Sequence, residues 1–288
     1  MSRTFTTPVT VACNICGSSK STLVTVQNTC TLVRCVDCGF VYVNPRPADS
    51  AYKDLYVDYL PDRMDDPFAW KRYMAEVFTK TADMIETAIP EKGTSLDIGC
   101  GFGFFVEEMK ERGWTASGID ISAKAVGFAS KRGLDVRLGS ISMEASGAAE
   151  GSFDAITMFY VLEHLPDPLA FLKKVRSLLK PGGVLVIRIP HTTPIVRLLT
   201  IIGIKNNLYD PPFHLSDFSP ACTRKILEKA GFIETCQVIG GATLPENTGP
   251  RLVSRLSNVV ADILLFLSGG RLLLSGVSKT TLARRPLS

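Results

Sequence analysis

The sequence contains no run of 18 uncharged apolar residues, and its first stretch, MSRTFTTPVTVACN, has no apolar core. The first absence argues against a membrane-spanning helix and the second against a secretory signal. Histidine and tryptophan are scarce, at 3 and 2 of 288 residues. Chemistry that needs an imidazole therefore has few places to sit. A strong overall charge is lacking too, the net being +4. Residues 251–288 hold five Arg and one Lys against one Asp, a local +5 that leaves −1 for the rest. The body is thus no broad polyanion binder. With 45% apolar and 21% charged residues, the composition is that of an ordinary soluble globular protein. The length suits one large domain and a small one. The expected location is cytoplasmic.

Cysteine, by contrast, is plentiful and patterned. Four of the 8 form CNIC (Cys13, Cys16) and CVDC (Cys35, Cys38), with 18 residues between the pairs. Two intervening residues let one tight turn aim both thiolates at one ion, and two such turns complete a tetrahedron. Gly17 and Gly39 follow each pair, where a turn often needs positive φ. A structural zinc site is the reading. The alternative, two disulfides, needs an oxidising compartment for which no signal is present. Cys30, Cys222 and Cys236 read as small buried hydrophobes.

The pattern divides the chain into residues 1–47 as a zinc ribbon, 48–92 as a helical linker, and 93–288 as a larger domain. From Thr94 onward strands and helices alternate. Strands are expected near 94–98, 115–119, 134–138, 153–158, 183–189 and 232–238, and helices near 102–112, 122–131, 167–179 and 219–230. A closing antiparallel strand is expected in SKTTLARRP. Such alternation predicts an α/β doubly wound, mostly parallel seven-stranded sheet that binds ligand outside the strands' carboxyl ends.

The stretch SLDIGCGFGFF sits at the first of those ends. A pyrophosphate cradle needs G-x-G-x-x-G, and here Gly99, Gly101 and Gly103 run into Phe104. Asp97, two residues before the first glycine, would repel a phosphate and welcome a cation. Asp120 closes the second strand 23 residues later, where an acid can accept from both ribose hydroxyls. Its plainer reading is a helix cap beside Ser122. A cationic nucleoside without phosphate, S-adenosylmethionine, fits the pair.

Residues 94–190 resemble the class I S-adenosylmethionine-dependent methyltransferases. LDIGCGFGFF resembles their glycine motif and GIDIS their ribose-binding acid. GSFDAITMFYVLEHLPDPLAFLKKVRSLLKPGGVLVIRIP resembles their fourth through fifth strands, and PFHLSDFSPACTRKILEKAGF a later part of the fold. The N-terminal C-x2-CG repeat is like the zinc ribbon that precedes some of these enzymes. The resemblance implies that Asp97, Gly99, Cys100, Gly101 and Gly103 line the donor's methionine end, that Asp120 and Ile121 hold its adenosine, and that Phe159 lies near the transfer mouth. Many relatives carry an acid after the third strand for the adenine. This chain has Ser140 and Ile141 there, which leaves hydroxyl or backbone contacts.

His164, His191 and His214 all fall on segments expected beside the pocket. His164 and His214 are the candidate bases, with Tyr160 a further catalytic candidate and Tyr209 a weaker one. Apolar inserts at 191–217 and 241–275 are expected above the donor. In the second, Leu252, Leu256, Val259, Val260, Ile263, Leu264 and Leu267 recur at helical spacing, with Ser254, Arg255, Ser257, Asn258 and Asp262 opposite. Such lids suit an apolar substrate, or peripheral contact with the inner membrane face through Arg251, Arg255 and Arg271. An ordinary cap or a homodimer interface is the alternative.

The expected activity is O-methylation of a small molecule: a sugar, lipid-linked glycan, quinol or secondary metabolite. Two competitors are an RNA base methyltransferase that grips RNA with the ribbon, and a non-catalytic scaffold. The first 50 residues hold only Arg3, Lys20, Arg34 and Arg46 against Asp37 and Asp49, which is thin for RNA. The intact donor motif argues against a scaffold.

Overall fold

The computed structural model describes residues 8–48, 66–140, 149–268 and 278–288. Residues 49–65 of the expected helical linker, Ile141 and Arg271 lie outside them.

The N-terminal unit comprises β1 (Pro8–Val9), β2 (Ser21–Gln27), β3 (Cys30–Cys35), β4 (Val41–Val43) and β5 (Arg46–Pro47). β2, β3 and β4 form an antiparallel ribbon, and β11 (Ser216–Asp217) from the larger domain joins it as a fourth strand. The ribbon is therefore not an appendage. Cys13, Ile15, Phe40 and Tyr42 share one core with Leu162, Phe218 and Cys222. Phe40 and Phe218 are fully buried, with ring centroids 4.9 Å apart. Burial of two such rings stabilises the docking by several kcal/mol, at roughly 2–3 kcal/mol each.

α1 (Pro67–Ala88) opens on Asp66, whose side chain accepts from the Phe68 amide, with Pro67 in the first turn. The same cap-then-proline device starts α4 (Pro168–Leu178) at Asp167 and α6 (Pro220–Lys229) at Ser219. In each case a side-chain oxygen meets an otherwise orphaned amide, while proline occupies a position that has no amide partner to lose. α1 buries Met74, Val77, Phe78, Ala82 and Ile85. It packs on α2 (Phe104–Glu111).

The main sheet runs in the order β12 (Ile233–Val238), β13 (Lys279–Arg284), β10 (Leu179–Ile189), β9 (Phe153–Phe159), β6 (Thr94–Ile98), β7 (Thr115–Asp120), β8 (Val136–Leu138). β10, β9, β6, β7 and β8 run parallel to one another, and β13 is antiparallel to both of its neighbours, β10 and β12. This is the seven-stranded, mostly parallel sheet expected from the alternation. The chain order reverses direction between β6 and β9, and ligands bind at such a switch point. The third strand is shorter than expected because Leu134 closes a turn after α3 (Ala123–Lys131).

The inserts depart from expectation. α5 (Thr193–Ile201) and α7 (Thr248–Leu267) form, but α7 turns its small and polar face inward. Asn258 and Ala261 are buried, and Ser254 donates to the Thr243 carbonyl at 2.6 Å. Leu252, Leu256, Val259, Val260, Ile263 and Leu267 are exposed. The apolar stripe of α7 is an outer surface among the described residues.

Candidate active site

At the carboxyl end of β6 the chain must turn sharply without filling the space outside the sheet. Gly99 does so at φ +72°, and a Cβ there would lie 2.5 Å from the Val161 side chain. Gly103 begins α2 at φ +77°, and its Cβ would press Ala129 and Leu134 at 2.9 Å. The Cys100 side chain points inward, packed with Val106, Ala129, Leu134 and Val136. Backbone alone therefore faces outward along this turn, as the sequence suggested.

Two acids flank the turn. Asp97 is buried, and Thr157 of the adjoining β9 donates to it at 2.6 Å. Burial pushes its carboxyl up to about 7; the Thr157 bond opposes this and the like charge of Asp120 adds to it. Asp120 accepts from the Gly101 amide and from the Ser122 amide, both at 2.8 Å. It therefore braces the glycine turn from β7 while keeping lone pairs for a ligand. It is not the cap of α3: that role belongs to Ser122, which accepts from Ala125. Burial raises the Asp120 carboxyl too, and the backbone amides oppose this.

Two like-charged carboxylates in one dry recess are costly unless a positive group joins them. A sulfonium nucleoside supplies that charge and needs room beside bared backbone. The residues present fit S-adenosylmethionine. Ile121 follows Asp120 partly exposed, and Ser140 sits beyond the end of β8. Phe159, at the end of β9, packs its ring against Phe78 and Phe105 with centroids 5.1 and 4.9 Å apart, so it builds the aromatic wall behind the turn.

Donor affinity is expected to fall about tenfold per pH unit below about 7 as Asp97 takes up a proton. Asp97→Asn is expected to flatten that profile in calorimetric titrations. The unliganded fold carries the opposite sign. Folded Asp97 keeps its proton to about pH 7, whereas an unfolded aspartate releases it near 4, so stability falls as pH rises across that window.

Beside the turn, the sequence after β9 brings together two predicted residues and one that was missed. His164, in the short helical turn Leu162–His164, lies against His214 with ring centroids 4.8 Å apart. Glu163 is wholly buried, and both of its carboxyl oxygens lack hydrogen-bond partners. Burial pushes it up to about 8, with Asp217 adding to the rise. One ligating atom from each of the three lies within 4.8 Å of the others, a spacing compatible with a divalent ion. His164 Nδ1 is 3.0 Å from the Phe213 carbonyl. A carbonyl only accepts, so Nδ1 carries the proton and Nε2 is the basic nitrogen.

Tyr160 is placed differently. Its φ is +58°, and its hydroxyl accepts from Arg188 Nε at 3.0 Å and donates to Ser278 at 3.3 Å. Arg188, buried in mid-sheet, also donates to the carbonyls of Ile239, Gly240 and Gly241 and to Thr280. Tyr160 is thus a strut of this network. Tyr209 shares its hydroxyl with Thr193 at 2.8 Å and is likewise committed. A charged residue inside the apolar run VLVIRIP was the signal for Arg188.

On the ribbon, Cys13 and Cys38 Sγ are 3.5 Å apart, Cys16 and Cys35 Sγ are 3.4 Å apart, and all four lie within 4.8 Å of one another. A disulfide would need about 2.05 Å. The edges of a tetrahedron with bonds of about 2.3 Å span about 3.8 Å, which the cluster approaches. None of the eight cysteines is in a disulfide.

A sequence profile of the methyltransferase-domain family matches residues 70–235. A ubiquinone biosynthesis O-methyltransferase of Ralstonia nicotianae is 33% identical over 182 residues, 61% of this chain and 76% of that protein. The crystal structure of an S-adenosylmethionine-dependent methyltransferase from Archaeoglobus fulgidus shares the fold with a TM-score of 0.50 at 22% identity, covering 72% of this chain and 94% of that one. Phosphoethanolamine N-methyltransferase 2 of Haemonchus contortus, solved with S-adenosylmethionine, has a TM-score of 0.53 at 17% identity over 85% of this chain and 63% of its own. The profile takes in α1, the glycine turn, both buried acids and the parallel strands, and on that match the chain belongs to the methyltransferase-domain family and is an S-adenosylmethionine-dependent methyltransferase.

Proposed function

We propose that the protein methylates a hydroxyl oxygen of a small quinol or phenol. The observation that carries this is the Glu163–His164–His214 cluster on the donor edge, with a basic nitrogen fixed at His164 Nε2. The donor, when bound, supplies an electrophilic methyl group. The protein's share is to align the acceptor oxygen and exclude water. A phenolic hydroxyl arrives protonated, so His164 takes the proton as the oxygen attacks the methyl group. The quinone-pathway name of the Ralstonia relative supports the acceptor class. Zinc in the four thiolates completes the reading: a site with four thiolates is closed and structural.

The outward faces of α5 and α7 favour a lipid surface as the place where the acceptor is met. Ile201, Phe266 and Leu267 are 82%, 83% and 74% exposed, with Arg197, Arg251 and Arg255 exposed on the same helices and Lys205 exposed just beyond α5. Apolar side chains flanked by cations suit anionic headgroups. Among the described residues no helix is long and apolar enough to cross a membrane.

One experiment tests both parts. The protein is mixed with methyl-labelled S-adenosylmethionine and phosphatidylcholine–phosphatidylglycerol vesicles carrying a quinol, then floated. Label in the quinol and protein in the floated fraction are the expected outcome. His164→Gln should lower turnover at least 100-fold, the low end of a general base's contribution. Label in RNA or protein instead would overturn the acceptor class. A dimer that does not float would overturn the membrane assignment.

A further inference from the structure

The zinc ribbon reaches the larger domain through the tip of its first hairpin. Gln27 ends β2 and Cys30 begins β3, paired across a two-residue turn of Asn28 and Thr29 at φ +48° and +64°. Two left-handed residues in succession make the tight turn that suits the twist of a hairpin. Asparagine tolerates that region, whereas a β-branched threonine enters it at a cost. Such a conformation persists where surrounding contacts fix the backbone. Here the contacts come from the larger domain. Asn28 Nδ2 donates to the Pro211 carbonyl at 2.8 Å. Gln27, 8% exposed, accepts from the Tyr209 amide at 3.2 Å and donates to Asn206 Oδ1 at 3.3 Å.

The tip therefore pins residues 209 and 211, one on each side of Asp210. Asp210 is itself left-handed, at φ +50°, and its carbonyl accepts from the amides of Phe213 and His214, both at 3.1 Å. The far end of this turn is tied to the ribbon as well. The Val43 amide donates to the Leu215 carbonyl at 2.9 Å, and Ser216 pairs with Tyr42. Tyr209, Phe213 and Leu215 pack with Leu32, Val41 and Val43 of the ribbon. His214 thus sits on a loop that the ribbon holds at both ends. The Leu215 amide donates to the Glu163 carbonyl at 2.8 Å, which joins that loop to the turn carrying His164. The same loop supplies the Phe213 carbonyl, 3.0 Å from His164 Nδ1. That carbonyl sets the tautomer of the base.

We propose that Gln27 and Asn28 are positioning residues for the methyl transfer. They act through the loop 209–214. They hold the Phe213 carbonyl on His164 Nδ1 and the His214 ring against the His164 ring, so that Nε2 is the nitrogen offered to the acceptor. The four thiolates fold the ribbon, and the hairpin tip gives it a part in catalysis. That part rests on the reading of His164 as the base; the clasp itself does not.

The test uses Gln27→Leu and Asn28→Gly in the full chain, singly and together. Leucine keeps most of the buried bulk and glycine adopts the turn without strain, so each change removes side-chain bonds and little else. Metal content, S-adenosylhomocysteine affinity and the thermal midpoint report whether each variant keeps its fold. The first readout is the ring tautomer. The chain has 3 histidines, so long-range nitrogen–proton correlation spectra resolve each ring, and His164→Gln assigns its signal. His164 should carry its proton on Nδ1 in the unaltered chain, and that form should give way to a mixture with Nε2–H in the double variant. The second readout is the rate with a quinol acceptor. Its kcat should fall about tenfold or more, part of the roughly 100-fold or more that a general base contributes, with KM moving less. Gln27→Glu keeps the acceptor for the Tyr209 amide and should recover part of what Gln27→Leu loses. Val26→Thr, at a position 58% exposed on the same strand, should change neither readout. An unchanged His164 tautomer in a folded, metal-loaded double variant would overturn the proposal, whatever the rate. If the double variant does not fold, Asn28→Gly, at the exposed tip, is scored by the same rule. A changed tautomer with unchanged kcat would overturn His164 as the base and leave the clasp standing. Absence of transfer to any quinol would overturn the acceptor class, and the tautomer would still decide the clasp.

Discussion

A Gly99→Val chain is expected to lose S-adenosylmethionine binding by at least 30-fold, while remaining largely folded. Two costs meet at this position. The backbone holds φ +72°, which costs an L-residue about 1–2 kcal/mol and a β-branched one more. The new Cβ would also sit 2.5 Å from Val161 Cγ2, and overpacking of this kind costs about 1–3 kcal/mol. The sum, roughly 2–5 kcal/mol, falls on the turn that must approach the donor and equals about 30-fold or more in affinity. Val161 leads directly into Leu162–His164, so the base would shift as well. Gly127→Ala in α3 is the control. Nothing lies within 4 Å of its Cβ, and its φ is ordinary, so a gain of about 0.5–1 kcal/mol is expected. Calorimetric titration and thermal melts check both. Unchanged donor affinity in Gly99→Val would move the donor away from this turn.

Cys38→Ser is expected to release the ribbon's metal and lower the thermal midpoint of the whole protein. A structural zinc holds its peptide with an apparent 10–16 kcal/mol, which is comparable to or above the roughly 5–15 kcal/mol that keeps a domain folded. The loss should not stay local. β11 belongs to the ribbon sheet, Asn14 donates to the Pro166 carbonyl at 3.0 Å, and Cys222 Sγ lies 3.8 Å from the Cys38 carbonyl. These ties run to the segments that carry His164 and His214, so turnover should fall with the ribbon. Cys236→Ser, at an exposed position on β12, should change neither metal content nor melting. Metal analysis with thermal melts decides the matter. A Cys38→Ser protein that keeps one metal per chain, or melts unchanged, would remove zinc from the account.

What was legible in advance was local. Glycines at 99, 101 and 103 after a short apolar strand require a turn that bares backbone. The cysteine spacing requires two turns facing one another. The acids of DIG and GID stand at strand ends readable from the alternation, and their pairing already pointed to a cationic ligand. Caps at Asp66, Asp167 and Ser219 follow from their prolines.

The remainder was decided by packing. Periodicity in α7 showed that two faces differ, yet not which one faces the body. Asn258 and Ala261 went inward because a close-packed helix needs small residues there, and the apolar stripe was left outside. Tyr160 read as a candidate by position, and Arg188 claimed its hydroxyl. Glu163 adjoins His164 in the sequence, but its burial without a hydrogen-bond partner depends on strands more than 50 residues away in sequence. Gln27 and Asn28 meet residues 206, 209 and 211 only because the ribbon docks on the larger domain. A local pattern fixes a conformation because its forces act within a few residues. Facing, burial and the convergence of charges depend on which distant surface arrives, and only the folded chain holds that information.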